Sequence, residues 1–255
     1  MNILIPMAGH GSRFQQAGYS FPKPLIDVNH RPMIQVVTDN LALDGRHIFL
    51  VLKEHYDKYS LKYLLPLIVQ PRGCEIIQVE QVTQGAACTA LLSRELIDND
   101  EELVIANSDQ WIDWDSRHFL SYMRSRKADG GILTFFSTHP KWSFVKVDEL
   151  SSRIVEVAEK RPISTIATVG IYYFRRGADF VAAADRMIQK DLRVNNEFYV
   201  APTYNELIAD GKTILSYPIA EMKGLGTPED LERFLSDQRH PRGGAAPLGL
   251  VGRAL

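Results

Sequence analysis

The sequence predicts an α/β protein built on a largely parallel sheet, and three observations predict it. Strand-like runs alternate with amphipathic, helix-patterned stretches along most of the chain, the order that sets helices on the faces of a parallel sheet. The run Ile3-Leu4-Ile5-Pro6-Met7 is apolar without alternation, and Leu103-Val104-Ile105-Ala106 repeats that character, as buried strands do. A length of 255 residues is ordinary for one such domain and long enough to bury a substantial core.

The elements follow in order. Residues 3–7 form the first strand, and a loop leads to an amphipathic helix over 33–43. A strand at 48–52, a helix near 58–67 and a strand at 75–79 come next. The Gln84-Gly85 turn opens a helix over 86–96, followed by the strand at 103–106 and a helix over 116–127. Three strand-like runs at 132–136, 144–147 and 154–157, joined by polar turns, make a meander placed to cover a substrate. A strand at 169–174 precedes helices over 179–188 and 204–209. The last helix is signalled by Thr227 as N-cap, Pro228 at the first position and Asp230 at the capping-box position. Residues 1–238 read as one domain. Residues 239–255 hold Gly-Gly, Pro and Gly without periodicity and read as a flexible extension.

Composition narrows the partners. A formal net charge of −2 gives no electrostatic reason to expect nucleic acid or an anionic membrane. No apolar run approaches a bilayer span, and the N-terminus lacks the basic segment and long apolar core of a secretion signal. Cys74 and Cys88 show neither metal spacing nor a disulfide framework, and Cys88 among small residues reads as a buried thiol. A reducing cytoplasm is the expected compartment. The histidines show no HExxH or paired ligand spacing, which argues against zinc chemistry.

The first strand breaks straight into a turn with Gly9 and Gly11, where missing side chains let backbone N–H groups approach a ligand. Arg13 and Lys23 add two cations to the same loop, Lys23 between Pro22 and Pro24. Donors, glycines and fixed cations after a strand make a cradle for a polyphosphate. Two commoner phosphate motifs are excluded. A dinucleotide fingerprint needs a third glycine where Phe14 stands. A Walker A loop needs a glycine where Glu206 precedes Gly211-Lys212-Thr213, which reads instead as a helix-to-strand turn.

The pattern G-x-G-x-R followed by P-K-P resembles the signature of the sugar-1-phosphate nucleotidyltransferases. Later landmarks fall in that family's order over about residues 1–238: Gln81 to Gly85, Asp109, Glu159-Lys160, Gly170-Ile171-Tyr172 and Gly226-Thr227-Pro228-Glu229-Asp230. The resemblance implies a Rossmann-like three-layer nucleotidyltransferase (GT-A-like) fold with a mixed, mostly parallel central sheet. It implies transfer of NMP from an NTP to a phosphorylated acceptor, a sugar 1-phosphate or similar metabolite, with release of pyrophosphate. The Asn195-Asn196-Glu197-Phe198-Tyr199 segment and the Met222 to Asp230 ending resemble members associated with capsule and surface polysaccharide. That branch implies a role in making polysaccharide precursors, and its acceptors are not always sugars.

In such a reaction an acceptor phosphate oxygen attacks the α-phosphorus in line. A phosphate monoester, with a second pKa of about 6, is largely dianionic at neutral pH and needs no strong base. Placed cations and donors then carry the catalysis. Arg13 suits bidentate contact with the β- and γ-phosphates, and Lys23 suits the α-phosphate and the transition state. The resemblance assigns Ala8, Gly9, Gly11, Ser12 and Asn107 to the nucleotide. Gln81 and the Gly85 region are expected to read the base, the Gln81 amide leaning toward a pyrimidine. Lys160, oriented by Glu159, is expected to neutralise the acceptor phosphate, with Gly170 flat beneath the acceptor and Asn196 adding a polar group. Taken alone, Glu159-Lys160 also fits a strand-end surface pair, and Asn195-Asn196-Glu197 a turn and helix start.

Asp109, emerging at the carboxyl edge of the sheet, suits Mg²⁺ or Mn²⁺ shared with phosphate oxygens, while Asn107-Ser108-Asp109 is also good turn chemistry. Family members often carry a second acid two positions before the closing Gly-Thr, and here that position is Gly224. Glu221 could substitute, Asp109 could act with waters and phosphates alone, or Gly224 could mark a close approach to the acceptor. Two rival functions follow from other residues. Asp113-Trp114-Asp115 is a literal DxD, of the kind a GT-A-type glycosyltransferase uses to hold the metal of a nucleotide-sugar. A site short of its second acid also suits a non-catalytic nucleotide-binding regulatory protein. A homo-oligomer is compatible with all three.

Overall fold

The computed structural model describes residues 1–148 and 150–239. The expected extension therefore lies, beyond the Arg239 backbone, outside the described residues. In chain order the first elements are β1 (Asn2–Pro6), α1 (Ser12–Gln16), a 3-10 turn (Lys23–Leu25), α2 (Met33–Leu41), β2 (Arg46–Leu52), α3 (Lys53–Lys58) and α4 (Leu61–Val69). Next come β3 (Cys74–Val79), α5 (Ala86–Leu91), α6 (Arg94–Ile97), β4 (Leu103–Ala106), β5 (Gln110–Asp113), α7 (Ser116–Ser125) and β6 (Gly130–Phe136). The remainder is β7 (Ser143–Val147), β8 (Ile154–Glu159), β9 (Ile166–Phe174), α8 (Gly177–Gln189), α9 (Thr203–Ala209), β10 (Ile214–Pro218), β11 (Glu221–Gly224) and α10 (Pro228–Arg239).

The main sheet runs β10-β6-β9-β4-β1-β2-β3, with β7 and β8 joined to it at β9. Strands β1 to β4 are parallel to their neighbours among themselves, and so are β6 and β10. Strand β9 runs antiparallel between β4 and β6. The mixed, mostly parallel sheet and its Rossmann-like order are as expected. Side chains alternate across β1, so Ile3 and Ile5 enter one core and Leu4 the other, which gives three layers. Strand order reverses at β1, with β2 on one side and β4 on the other. A crevice opens at the carboxyl ends of strands where the order reverses. The loop after β1 and the residues after β4 meet there.

The differences from the sequence reading are local. The helix expected over 58–67 is two, α3 and α4, because Ser60 takes a left-handed φ of 52° between them. The helix expected over 86–96 breaks at Ser93, whose hydroxyl donates to the Ala90 carbonyl at 2.6 Å, a local competitor for helical bonding. Helix α1 forms inside the glycine loop because Phe14 is buried, edge-on to Tyr19 at 5.1 Å. Strands β5 and β11 pair antiparallel in a separate ribbon. Neither carries an apolar run, so only their distant pairing makes them strands. Gly211, with φ 76°, closes α9 before β10 as expected of a helix-to-strand turn. Cys88 is half-buried rather than buried, and both cysteines are free. Burial pushes the Cys74 thiol up to about 11.

His47 at the start of β2 sets a pH dependence of stability. Among the described residues, its Nε2 is buried without a hydrogen-bond partner. Burial first, and the Arg72 guanidinium second, lower its pKa from 6.5 to about 4. The unfolded chain therefore binds a proton that the folded chain refuses between these values. This part of the stability is complete above pH 6.5 and is lost as pH falls toward 4. Its size is roughly 3 kcal/mol. Urea unfolding across pH 4–7 should show His47→Phe losing less stability on acidification than the parent. Parallel pH curves would contradict this.

Candidate active site

Two adjoining compartments open at the carboxyl ends of β1 and β4, and both are lined by Pro6, Lys23, Ala86 and Ser108. The first also takes in Ala8, Gly9, Gly11, Thr83, Gly85 and Glu197. The second takes in Arg13, Asp109, Glu159, Lys160, Gly170 and Tyr199, and it reaches Gly224, Gly226 and Asp230. Lys23 thus stands at the junction.

In the first compartment the backbone is shaped by glycine. Gly11 caps α1 with φ 65°, and a Cβ there would lie 3.2 Å from the Lys23 Cβ, so the turn seats directly against the lysine. Gly85 holds φ 126°, and a Cβ would overlap the Phe198 backbone. That approach is fixed by two hydrogen bonds, Phe198 N–H to the Gln84 carbonyl at 2.8 Å and Ala87 N–H to the Phe198 carbonyl at 3.0 Å. Gly85→Ala should therefore destabilise the protein by about 3 kcal/mol, adding left-handed strain to a backbone collision. Denaturant unfolding checks this, and an unchanged midpoint would refute the close packing.

At the junction, Lys23 Nζ donates to Asp109 Oδ2 at 2.9 Å, and each side chain is 25% exposed. Asp109 follows β4, and its backbone carbonyl accepts from Leu225 N–H at 2.7 Å. A Cβ at Gly226 would lie 2.6 Å from Asp109 Oδ2, so the absent side chain leaves room for that carboxylate. Among the described residues no three His, Cys, Asp or Glu side chains cluster as a metal cage. Asp109 nonetheless fits Mg²⁺, which is commonly held by one or two carboxylates together with phosphates and waters.

The second compartment holds the other predicted groups. Gly170, φ 83°, lies so close to Asn107 Nδ2 that a Cβ would overlap it. Asn107 N–H donates to the Gly170 carbonyl at 2.9 Å, so Asn107 sits on this side rather than beside Gly9. Lys160 Nζ hydrogen-bonds the Tyr199 hydroxyl and lies 4.5 Å from that ring's centroid. Glu159 is 9% exposed and accepts from the Ser143 hydroxyl. Burial raises its pKa, against the Ser143 hydrogen bond and the Lys160 charge. Glu159 and Lys160 are thus cleft groups, not a surface pair.

Other predicted residues stand elsewhere. Ser12 and Gln81 are exposed and outside both linings, while Val82 and Thr83 line the first compartment. Arg13 lines the compartment of Asp109. Asn196 and Asn195 are the left-handed pair of a tight turn, with Val194 and Glu197 exchanging 3.0 Å backbone bonds around them. No helix starts there, and it is Glu197 and Tyr199 that reach the cleft. Glu221 faces Asp113 at the far end of the ribbon and pairs with Lys223 at 3.6 Å. The DxD is spent on structure: Asp115 caps α7, accepting from Arg117 and His118 N–H at 2.9 and 3.1 Å. Sequence reasoning missed Lys141, Trp142 and the cleft role of Asp230. The one signal was Asp230 itself, read as the capping-box residue behind Thr227.

Residues 3–234 match the family described as Nucleotidyl transferase. The chain belongs to that family. Among curated relatives, it is 24% identical over 205 residues to the mannose-1-phosphate guanylyltransferase catalytic subunit beta of Dictyostelium discoideum, covering 79% of this chain and 55% of that protein. It is 28% identical over 180 residues to the subunit of that name from Danio rerio, covering 68% and 49%. The chain thus spans about half the length of the curated relatives it matches. Among solved structures, the nucleoside-diphosphate-sugar pyrophosphorylase of Vibrio cholerae RC9 superposes with a TM-score of 0.78 at 25% identity, covering 92% of this chain and 99% of that one. A UDP-glucose pyrophosphorylase complexed with UDP-glucose has a TM-score of 0.77 at 17% identity, covering 94% and 99%, and shares the fold. Among the described residues no helix is long and apolar enough to cross a membrane.

Proposed function

We propose that the chain transfers a nucleoside monophosphate from an NTP to the phosphate of an acceptor, a sugar 1-phosphate or similar metabolite, and releases pyrophosphate. The observation that carries this reading is Lys23. It stands where a glycine-lined compartment meets one holding Arg13 and Lys160, 2.9 Å from the Asp109 carboxylate. Family membership and the sugar-phosphate substrates named for the relatives support it.

The chemistry follows from charge. Lys160 holds the acceptor phosphate against its dianionic charge, and an acceptor oxygen approaches the α-phosphorus. Charge then collects on that phosphorus's oxygens and on the leaving pyrophosphate, where Lys23 and Arg13 offset it. Glu159 lines the acceptor side but does not orient Lys160 directly, since it accepts from Ser143 while Lys160 bonds Tyr199. Mg²⁺ or Mn²⁺ at Asp109 would supply further positive charge to the phosphates. No side chain has to remove a proton. The finer reading, carried from the sequence, is a cytoplasmic enzyme, possible as a homo-oligomer, that makes surface-polysaccharide precursors. The lean toward a pyrimidine rested on Gln81, which stands exposed outside the lining. A pyrophosphate-release screen of four NTPs against a panel of phosphorylated metabolites tests the proposal. Release that depends on one acceptor supports it, and none from any pair defeats it.

A further inference from the structure

Position 224, where a second acid is expected, is glycine without a backbone reason. Its φ lies outside the left-handed range, and a Cβ would meet nothing closer than Asp230 Oδ2 at 3.4 Å and Trp142 at 3.7 Å. The space a side chain at 224 would enter is therefore bordered by another carboxylate. Asp230 is set up for this. Its N–H donates to Thr227 Oγ at 3.2 Å, half of a capping box. In a full box the acidic side chain would turn back to the N-cap N–H. Here both carboxylate oxygens instead lie 3.3 Å from Lys141 Nζ, in the cleft, and the side chain is 18% exposed.

We infer that Asp230 is the second carboxylate of the divalent-cation site, supplied from α10 in place of the one that Gly224 lacks. This rests on reading the cleft as a nucleotidyl-transfer site. The two carboxylates flank one short span: Asp230 against Gly224, Asp109 against Gly226. Each acid is neutralised by a lysine, Asp109 by Lys23 and Asp230 by Lys141. Lys141 in turn lies 4.6 Å from the Trp142 ring centroid. Glu221 is excluded from the role by its place at the opposite end of β11.

The test is Mn²⁺ alone, titrated into the full chain and followed by water-proton relaxation. Asp230→Asn should weaken Mn²⁺ binding at least about tenfold, as should Asp109→Asn, while Glu221→Gln leaves it unchanged. Lys141→Met should tighten it by removing the competing cation. Gly224→Asp in the Asp230→Asn background should restore it, which a merely misfolded variant would not allow. Wild-type affinity in Asp230→Asn, a loss in Glu221→Gln, or no Mn²⁺ binding by the parent would overturn the assignment. Failure here with pyrophosphate release intact sinks the cation site alone. Asp230-dependent Mn²⁺ binding without release from any NTP sinks the reaction alone.

Discussion

Lys23→Ala is expected to lower turnover by about a hundred- to a thousandfold while changing the KM for the NTP by less than about tenfold. The asymmetry follows from where the ammonium sits. Lys23 is at the meeting of the two compartments, held by Pro22 and Pro24, by the Gly11 turn against its Cβ and by Asp109. A charge at that point faces the phosphate under attack more than the bound triphosphate as a whole. The first compartment still offers the backbone donors of the glycine loop to ground-state nucleotide. Steady-state kinetics with saturating acceptor separates the two constants. A raised KM at wild-type turnover would make Lys23 a binding residue and move the reacting phosphate elsewhere.

The second large effect is expected at Asp109. Asp109→Asn keeps the shape and turn chemistry of the residue but removes its charge. A turn residue would tolerate the change, because asparagine is as good there as aspartate. A group that holds a divalent cation and orients Lys23 would not. The expected loss is about a hundredfold or more in kcat/KM, with the Mg²⁺ dependence of the residual rate flattened. The salt bridge geometry adds a consequence: Lys23 loses the negative charge 2.9 Å away and keeps at most a neutral amide acceptor, so part of the loss comes through the lysine. Near-wild-type activity in this variant, or full activity of the parent in EDTA, would remove the metal from the account. Damage from Asp113→Asn instead would favour a nucleotide-sugar enzyme, against the placement of Asp113 on the β5–β11 ribbon.

What the sequence made legible, and what it hid, divides along physical lines. Buried strands announce themselves by composition, and so β1, β2, β4 and the runs β6–β8 stood out. Their pairing did not: β6 lies between β9 and β10, and only β7 and β8 pair in sequence, so the three are not a meander. The glycine loop stood out because glycines and clamped cations in a strand-loop context have few other uses, and the structure does bring Gly9, Gly11, Arg13 and Lys23 to the cleft. Short breaks were not readable: a single left-handed Ser60 or a back-bonding Ser93 divides a helix without altering its hydrophobic pattern. Pairing between distant polar segments was hidden as well, which is why β11 and β5 went unseen. The site suffered most where a residue type has two uses. Asp230 read as the capping-box residue behind Thr227 and turns its carboxylate to Lys141; Asp115, a ligand only in the rival DxD reading, is a cap. Gln81 and Asn196 had suitable chemistry, but they stand exposed outside both linings, and only the fold sets position.

The central claim, that an acceptor phosphate displaces pyrophosphate from the α-phosphorus beside Lys23, is tested most directly by following labelled phosphorus. With the NTP and acceptor found by the release screen, one reaction uses NTP labelled at the α-phosphorus and a second uses label at the γ-phosphorus. The account predicts that α-label appears in a new compound joined to the acceptor phosphate and that γ-label appears only in pyrophosphate, one for one. Release of γ-label as inorganic phosphate, or α-label left on a nucleoside diphosphate, would contradict it.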